Sequence, residues 1–424
     1  MNDEDFYTLI VIGGGPAGLF CALRAAGTKG NVLVLEKNPS PGRKLLLSGS
    51  GQCNVTHDGD ILSFLTHYGD NGRFIKPALL NFQNRDLLAF FSEQGLPLAV
   101  EPGGKVFPVS RSAGNVLEIL LRECSAREVD IRCGDPVLEI SRRDKGFLIR
   151  TGRKSFGAAK VAIATGGITY PQTGSTGDGL KFAKSLGHRV TEVGPALTAV
   201  IIRDYAFAAL AGISFTAVPI SLIRAGQKVR HHSGDLLFTH KGLSGPGILD
   251  FSRYIRPGDT LRVSFLPGMD QQQAEKILLA GSQAAGNRQL KKILAAFGLP
   301  DRFCGRLLEL AGMEPDQTGA HLTREGRSAI LGLLTGYPFI VSRLAGISEA
   351  MVTRGGVALD EIHPKTMESR LVPGLYFIGE VLDIDGDTGG YNLQAAFSTA
   401  ALAAKKMAGE SQIPNCQLQP IDTN

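Results

Sequence analysis

Three features of the sequence together predict an α/β fold: a discontinuous Rossmann-like domain with a β-barrel-like insert that is itself interrupted by a small helical subdomain. Strand, glycines, helix, strand and acid follow one another in register over residues 6–37. From residue 194 the chain changes to short alternating strands between Gly and Pro turns, then to helical periodicity, then back to strands. The closing segment GLYFIGEVLDIDGDTGGYNLQAAFSTAALAAKKMAG reads as a strand, a loop and a long helix, too little to close a core of its own. It is expected to rejoin the first sheet. That places residues 1–193 and 355–424 in one domain, 194–269 and 336–354 in the barrel-like insert, and 270–335 in the helical subdomain.

The first element is FYTLIVIGGGPAGLFCALRAAGTKGNVLVLEK. A β-branched strand at 9–12 runs into Gly13-x-Gly15-x-x-Gly18, with Pro16 and Ala17 inside the turn and an Ala/Leu-rich helix after it. Gly13 lets the chain turn off the strand, Gly15 lets backbone approach a pyrophosphate, and Gly18 lets the helix pack closely on the sheet. A pyrophosphate would then rest on the positive end of that helix. Glu36 ends the second strand (32–35), about 20 residues past the glycines, where a carboxylate accepts both ribose hydroxyls and repels a 2′-phosphate. This element indicates a dinucleotide and does not separate FAD from NAD.

A glycine-rich loop, PGRKLLLSGSGQCNVTH (41–57), follows, then a helical stretch (85–94), a hairpin-like PLAVEPGGKVFPV and an amphipathic helix (113–126). Alternating strands at 129–140 and 146–151 lead to a buried strand at 160–164 that ends in Thr165-Gly166-Gly167. These are the pieces of a parallel sheet with a small antiparallel crossover. Ser175, Thr176 and Asp178 offer hydroxyls and a cap for a helix starting near Gly179. In the insert, LTAVIIR, TAVPISLIR, DLLFTH and TLRVSFLP read as strands, and AEKILLAGSQ, RQLKKILAAF and FCGRLLELAG as helices.

No second nucleotide unit follows the first. The glycines of GLSGPGILDF (242–251) lack the fingerprint spacing, which disfavours a reductase with its own NAD(P)H domain. Gly379-Glu380 at a strand end suits a flavin better than a nicotinamide, because a carboxylate there can accept a ribityl hydroxyl. The amides of Gly389, Gly390 and Tyr391 would open a helix from Asn392, and its N-terminus at the pyrimidine edge would stabilise negative charge on reduced flavin.

Composition narrows the class. The 424 residues are 43% hydrophobic and 20% charged, the balance of a globular chain long enough for two or three domains. No apolar run approaches the roughly 18 residues that would span a bilayer, and the first strand follows a short acidic leader, so a cytoplasmic protein with no membrane partner is expected. The six cysteines (21, 53, 124, 133, 304, 416) make no C-x-x-C pair and no Cys/His metal spacing, so neither a disulfide framework nor a metal site is expected. Residues 194–354 hold 18 of the 45 Lys and Arg but 12 of the 40 Asp and Glu, which locates the chain's net charge of +5 in its middle. An anionic partner would be sought there.

The motifs VIGGGPAGL with Glu36, GRKLLLSGSGQCNVT (42–56), ATGGITYPQTGSTGDG (164–179), LLFTHKGLSGP (236–246) and GLYFIGEVLDIDGDTGGYNLQAAFSTA (374–400) resemble, in order and over almost the whole chain, the BaiN/YhiN-type bacterial flavoproteins. These are also described as aminoacetone-oxidase-like or NAD(FAD)-utilising dehydrogenases. The resemblance implies FAD bound across a two-part nucleotide domain. It adds Lys37, Gly42, Arg43, Lys44, Ser50, Gly51, Asn54, Val137, Ala164, Thr165, Gly166 and Leu393 to the cofactor contacts named above. It also implies an oxidoreductase that reduces a C=C bond by hydride from reduced flavin, with NAD(P)H as a transient donor. Ribosomal RNA dihydrouridine synthesis and aminoacetone-type amine oxidation are the alternatives that the family's varied substrates leave open.

Disulfide reduction fits poorly, because a dithiol relay needs two sulfurs and the loop after Gly42-Arg43 carries only Cys53. GSTGDGLKFAKSLGH resembles a segment of the fumarate-reductase and aspartate-oxidase flavoproteins, which favours C=C or C–N redox. Reducing a polarised double bond also needs a proton donor, and His240, among Lys241, Ser244 and flexible glycines, is the first candidate, with Tyr391 and Cys53 as rivals. Arg224, Lys228, Arg230, His231 and His232, with Arg288, Lys291, Lys292, Arg302 and Arg306, form the basic stretches that could follow an RNA backbone; otherwise the partner is a small-molecule substrate.

Overall fold

In the computed structural model, which describes residues 5–27, 31–284, 287–314 and 316–408, the chain divides into two units: Met1–Gly194 with Met351–Asn424, and Pro195–Ala350. The acidic leader 1–4 and Cys416 lie outside the described residues.

The first unit is built on a seven-stranded sheet. Its strands are β1 (Phe6–Ile12), β2 (Val32–Glu36), β3 (Asp130–Cys133), β4 (Val137–Arg143), β5 (Gly146–Thr151), β6 (Ser155–Ile163) and β7 (Leu375–Phe377). The order is β3-β2-β1-β6-β5-β4, with β7 also on β6. β3, β2, β1, β6 and β7 run parallel, and every residue of β2 is buried, as a central strand covered on both faces requires.

β6 is long enough to serve two neighbours on one edge. Its first half pairs with the antiparallel β5 (Ser155 to Ala158), and its last three residues pair with β7 (Val161 to Ile163). The end of the chain therefore returns to the sheet that its beginning starts. Helices α1 (Pro16–Ala25), α2 (Ala113–Ala126) and α3 (Tyr391–Ala408) cover it. Phe20 of α1 meets Phe397 of α3 edge to face at 5.1 Å, and Pro16 opens α1 at a position where a missing N–H costs nothing.

The second unit is a closed six-stranded barrel of Val200–Ile202, Ser214–Arg224, Gln227–Phe238, Gly242–Ser244, Thr260–Val263 and Tyr337–Leu344. Aromatic rings fill its interior: Phe215 lies 4.9 Å from Phe265, and Phe207 stacks on Phe238 at 4.9 Å. Helices Gln271–Ala284, Leu290–Leu294, Asp301–Leu310 and Arg324–Gly336 occupy the stretch between its last two strands. Phe303 from the third of them lies 4.6 Å from Phe265, so barrel and helices share one core. Among the described residues no helix is long and apolar enough to cross a membrane.

Candidate functional site

Because β1, β2, β6 and β7 are parallel, their C-terminal ends deliver Gly13, Glu36, Ala164 and Gly379 to one edge of the sheet. Ala164 N–H donates to Ile12 at 2.8 Å, and Ile378 N–H to Ile163 at 3.1 Å. Ligands of open α/β sheets bind outside this edge.

The three fingerprint glycines meet three different constraints. Gly13 has φ +108°, and a Cβ there would stand 2.5 Å from the Ala164 carbonyl oxygen. A Cβ at Gly18 would stand 1.9 Å from the Gly13 carbonyl oxygen, so only glycine lets α1 sit against the turn. At Gly15 a Cβ would meet no protein atom within 4 Å. That position presents bare backbone at the start of α1, the cradle a pyrophosphate needs. Beside it, a Cβ on Gly379 (φ +69°) would come 2.9 Å from that of Ala17, which brings the C-terminal turn onto the same helix start.

Glu36 is buried, and its carboxylate is largely occupied. Oε1 accepts from Asn38 N–H (2.8 Å) and Asn38 Nδ2 (2.7 Å), while Oε2 accepts from Gly14 N–H (2.8 Å). One lone pair remains, on Oε2, so the carboxylate as it stands has room for one further donor rather than the two expected.

Lys37 is likewise committed: its Nζ donates to Thr176 (2.5 Å) and Asp178 (2.6 Å). Burial raises the Asp178 carboxyl, but Lys37, Lys181 and Thr176 more than offset this and hold it below its ordinary value. The expected helix cap is also corrected. The helix Asp178–Ser185 starts from Gly177 at φ +77° with no side-chain cap, because Asp178 is already helical and turned to the lysines.

The loop after β2 is clipped to the fingerprint by Gly42 N–H donating to Gly14 at 2.8 Å. Gly42 itself packs on α2, where a Cβ would strike Leu117 at 2.5 Å. Ser50 (φ 56°) and Cys53 (φ 61°) both hold left-handed backbone beside Gly49 and Gly51, at a cost of about 1–2 kcal/mol for each non-glycine residue. Such strain persists only where surroundings enforce it; here Asn54 Oδ1 accepts Val106 N–H at 3.1 Å, and Cys53 N–H donates to Ser48 at 2.9 Å. Cys53 is fully buried, and burial pushes its thiol up to about 12. Arg43 is exposed and reaches Asn38 Oδ1 at 3.3 Å, while Val137 starts β4 opposite Thr151.

Lys44 reaches across the fold to Glu380, its Nζ 2.9 Å from Oε1 and 2.7 Å from Oε2. Two threonines complete the cluster. Thr169 Oγ1 accepts from Lys44 at 2.8 Å and lies 3.2 Å from Glu380 Oε1, which also accepts Thr353 N–H at 2.9 Å. Thr169 lies within the 164–179 motif, where nothing distinguishes it from its neighbours, and Thr353 stands in none of the motifs named above.

Gly389 (φ +118°) and Gly390 (φ +98°) turn the chain into α3, and a Cβ on Gly390 would strike the Thr56 carbonyl at 2.3 Å. Tyr391 opens the helix with its ring between two imidazoles, His67 at 4.1 Å and His57 at 5.1 Å, both nearly parallel to it. His67 Nδ1 lies 2.9 Å from Asp387, and Tyr68 donates to the Tyr391 carbonyl at 2.8 Å. Asn392 braces the glycine loop through Gly386 N–H (2.8 Å) and Gly386 O (2.9 Å), and Leu393 packs half-buried against the core. His57 and His67 carry no sequence signal; only the fold stacks them on Tyr391.

In the second unit His240 is exposed on a tight turn, where Thr239 N–H donates to Gly242 at 2.9 Å and Thr239 Oγ1 accepts Gly242 N–H at 3.1 Å. The basic stretches are less available than their sequence suggests. Arg224 forms two 2.8 Å bonds to buried Asp259, Lys291 pairs with Asp301 at 2.6 Å, and Arg306 binds Ala206 O and Glu309, both at 2.8 Å. Arg302 bonds the Ala209 carbonyl, and Arg230 lies 3.9 Å over the Tyr254 ring. Lys228, Lys241, Arg288 and Lys292 are exposed.

The sequence pattern described as HI0933-like protein Rossmann domain matches residues 7–406. A ribosomal RNA dihydrouridine synthase of Escherichia coli (strain K12) is 34% identical over 405 residues, 95% of this chain and 98% of that one. A 3-dehydro-bile acid delta(4,6)-reductase of Clostridium scindens is 32% identical over 406 residues, 94% of this chain and 98% of that one. Among solved structures, a 3-ketosteroid-delta4-(5alpha)-dehydrogenase from Rhodococcus jostii RHA1 superposes with a TM-score of 0.48 at 15% identity, over 96% of this chain and 97% of that one.

Proposed function

Since the chain belongs to the HI0933-like family of FAD-binding, flavin-dependent oxidoreductases, we propose that it holds FAD at the carboxyl edge of the first unit's sheet and reduces a C=C bond conjugated to a carbonyl, with NAD(P)H as donor. One observation carries the reading. The glycine turn, Glu36 and Glu380 come from opposite ends of the chain to that one edge. The names of the two full-length relatives support it chemically, since dihydrouridine synthesis and a delta(4,6)-reduction both saturate a double bond.

Bound FAD would supply the hydride. The protein supplies binding, orientation and the proton. Backbone at Gly13 to Gly18 and the N-terminus of α1 would hold the pyrophosphate, Glu36 Oε2 would accept from a ribose hydroxyl, and Glu380 would accept from a ribityl hydroxyl. The amides at Gly389 and Gly390 and the N-terminus of α3 would favour negative charge on the reduced flavin. His240 donates the proton from its exposed turn. Cys53, with a buried thiol near 12, serves packing, and Tyr391, clamped between two histidines, fixes the start of α3. His240→Ala then leaves flavin reduction by NAD(P)H intact and slows reoxidation by the acceptor about 100-fold. Equal effects on both half-reactions would remove His240 from this role.

A second reading has support of its own: the double bond is that of uridine in ribosomal RNA, as the name of the Escherichia coli relative suggests. It would draw on Lys228, Lys241, Arg288 and Lys292. Loss of a dihydrouridine from ribosomal RNA on gene deletion, with salt-dependent weakening of RNA binding by Lys228→Glu and Lys292→Glu, would select it over a small enone. An unchanged modification profile would reject it, and peroxide release with an amine would point instead to an oxidase.

A further inference from the structure

The cluster around Glu380 has an order that goes beyond cofactor contact. Thr353 is fully buried on the short strand Val352–Arg354, in the first unit. Its N–H donates to Glu380 Oε1 at 2.9 Å. Its Oγ1 accepts Ile168 N–H at 2.8 Å and Thr169 N–H at 3.3 Å. Those two donors use both lone pairs of the hydroxyl, so its proton turns to the remaining neighbour, Thr169 Oγ1, at 3.3 Å. Thr169 Oγ1 already accepts from Lys44, so its own proton goes to Glu380 Oε1 at 3.2 Å.

The chain of bonds is therefore directed, Thr353 to Thr169 to Glu380. Oε1 receives three protein donors, Lys44, Thr353 N–H and Thr169 Oγ1, and only Oε2, held by Lys44 alone at 2.7 Å, keeps a direction for another partner. The packing is equally specific: a Cβ at Gly167 would stand 2.1 Å from Thr353 Oγ1, so the turn after β6 closes directly on this hydroxyl.

We propose that Thr353 is a positioning residue that acts through Glu380: it binds the 165–169 turn and the Glu380 carboxylate together, so that Oε2 faces the ribityl chain of FAD. The inference rests on the FAD site proposed above. Its test is a cycle of FAD affinities measured by reconstitution of apoprotein, using Thr353→Val, Thr353→Ser, Glu380→Gln and the double variant T353V/E380Q, with apoprotein melting and the visible circular dichroism of bound flavin recorded alongside.

Thr353→Val should weaken FAD binding about tenfold and alter the flavin dichroism, Thr353→Ser should restore both, and T353V should add less than about twofold on top of E380Q. Should T353V fail to give folded apoprotein, Thr169→Val takes its place in the same cycle. A full tenfold loss from T353V in the E380Q background, or no rescue by serine, would overturn the positioning role while leaving the FAD site standing. Wild-type FAD affinity in E380Q would instead overturn the site, and the inference with it.

Discussion

In the first unit the charged groups at the sheet edge bond to backbone amides and to partners far away in sequence; Lys44 and Glu380 are 336 residues apart. In the second, cations bond to the unit's own acids and carbonyls, as Arg306 does with Glu309, three residues on, and with the Ala206 carbonyl, 100 residues back. The first arrangement fixes atoms at the place where strands end and helices begin, and the second stabilises a barrel. The proposed cofactor edge is thus mostly a matter of backbone geometry, whereas the second unit leaves cations such as Lys228 and Lys292 exposed.

The comparison breaks most visibly at the glycines. Gly18→Ala should cost about 3 kcal/mol or more, since the clash is with backbone that cannot swing aside, and should yield little folded apoprotein in a thermal melt. Gly15→Ala should leave the apoprotein melt unchanged, because nothing in the protein meets the new methyl and φ is −80°, yet weaken FAD binding at least about tenfold in a titration. Similar apoprotein melts for the two variants would erase the distinction drawn between packing and cradle.

In the second unit, Arg224→Ala should lower stability by about 2 kcal/mol by stranding buried Asp259, a partly exposed version of a broken ion pair. Lys292→Ala should stay within about 0.5 kcal/mol of the parent. Chemical denaturation resolves both, and a reversed order would mean that the barrel's cations are not used as described.

The smallest effect concerns pH. His188 is buried, and Ser369 Oγ, which accepts Leu371 and Val372 N–H groups, gives its own proton to Nε2 at 2.7 Å. Burial lowers the His188 pKa below 6.5 despite Glu361 and the Ala183 carbonyl, so below that pH the unfolded chain binds a proton that the folded one resists. This contribution is complete above about pH 6.5 and is lost as pH falls towards the folded value. His188→Gln should flatten that acid-side decline in melting temperature, and an unchanged slope would assign it to other groups.

How much of this was legible follows from the same contrast. Gly13, Gly15 and Gly18 could be assigned separate tasks from their spacing, because each task excludes a side chain for a local reason. β7 could be expected to rejoin the sheet, because a strand and a helix alone cannot bury their faces. Thr353 could not be found this way: it meets Thr169 across 184 residues, and nothing about a threonine in a short strand marks it. Asn38, which takes half of the Glu36 carboxylate, was hidden among loop residues. The basic stretches were legible only in part, since a sequence displays charge but not the acid or carbonyl that absorbs some of it.

The central claim is that FAD held by the first unit passes its hydride to a C=C bond. The most direct measurement is anaerobic stopped-flow mixing of the FAD-loaded, reduced protein with an enone or with unmodified ribosomal RNA. The account predicts rapid return of the oxidised-flavin absorbance with one of these acceptors, matched by an equal amount of saturated product. Reoxidation by oxygen alone, with neither acceptor faster than buffer, would contradict it.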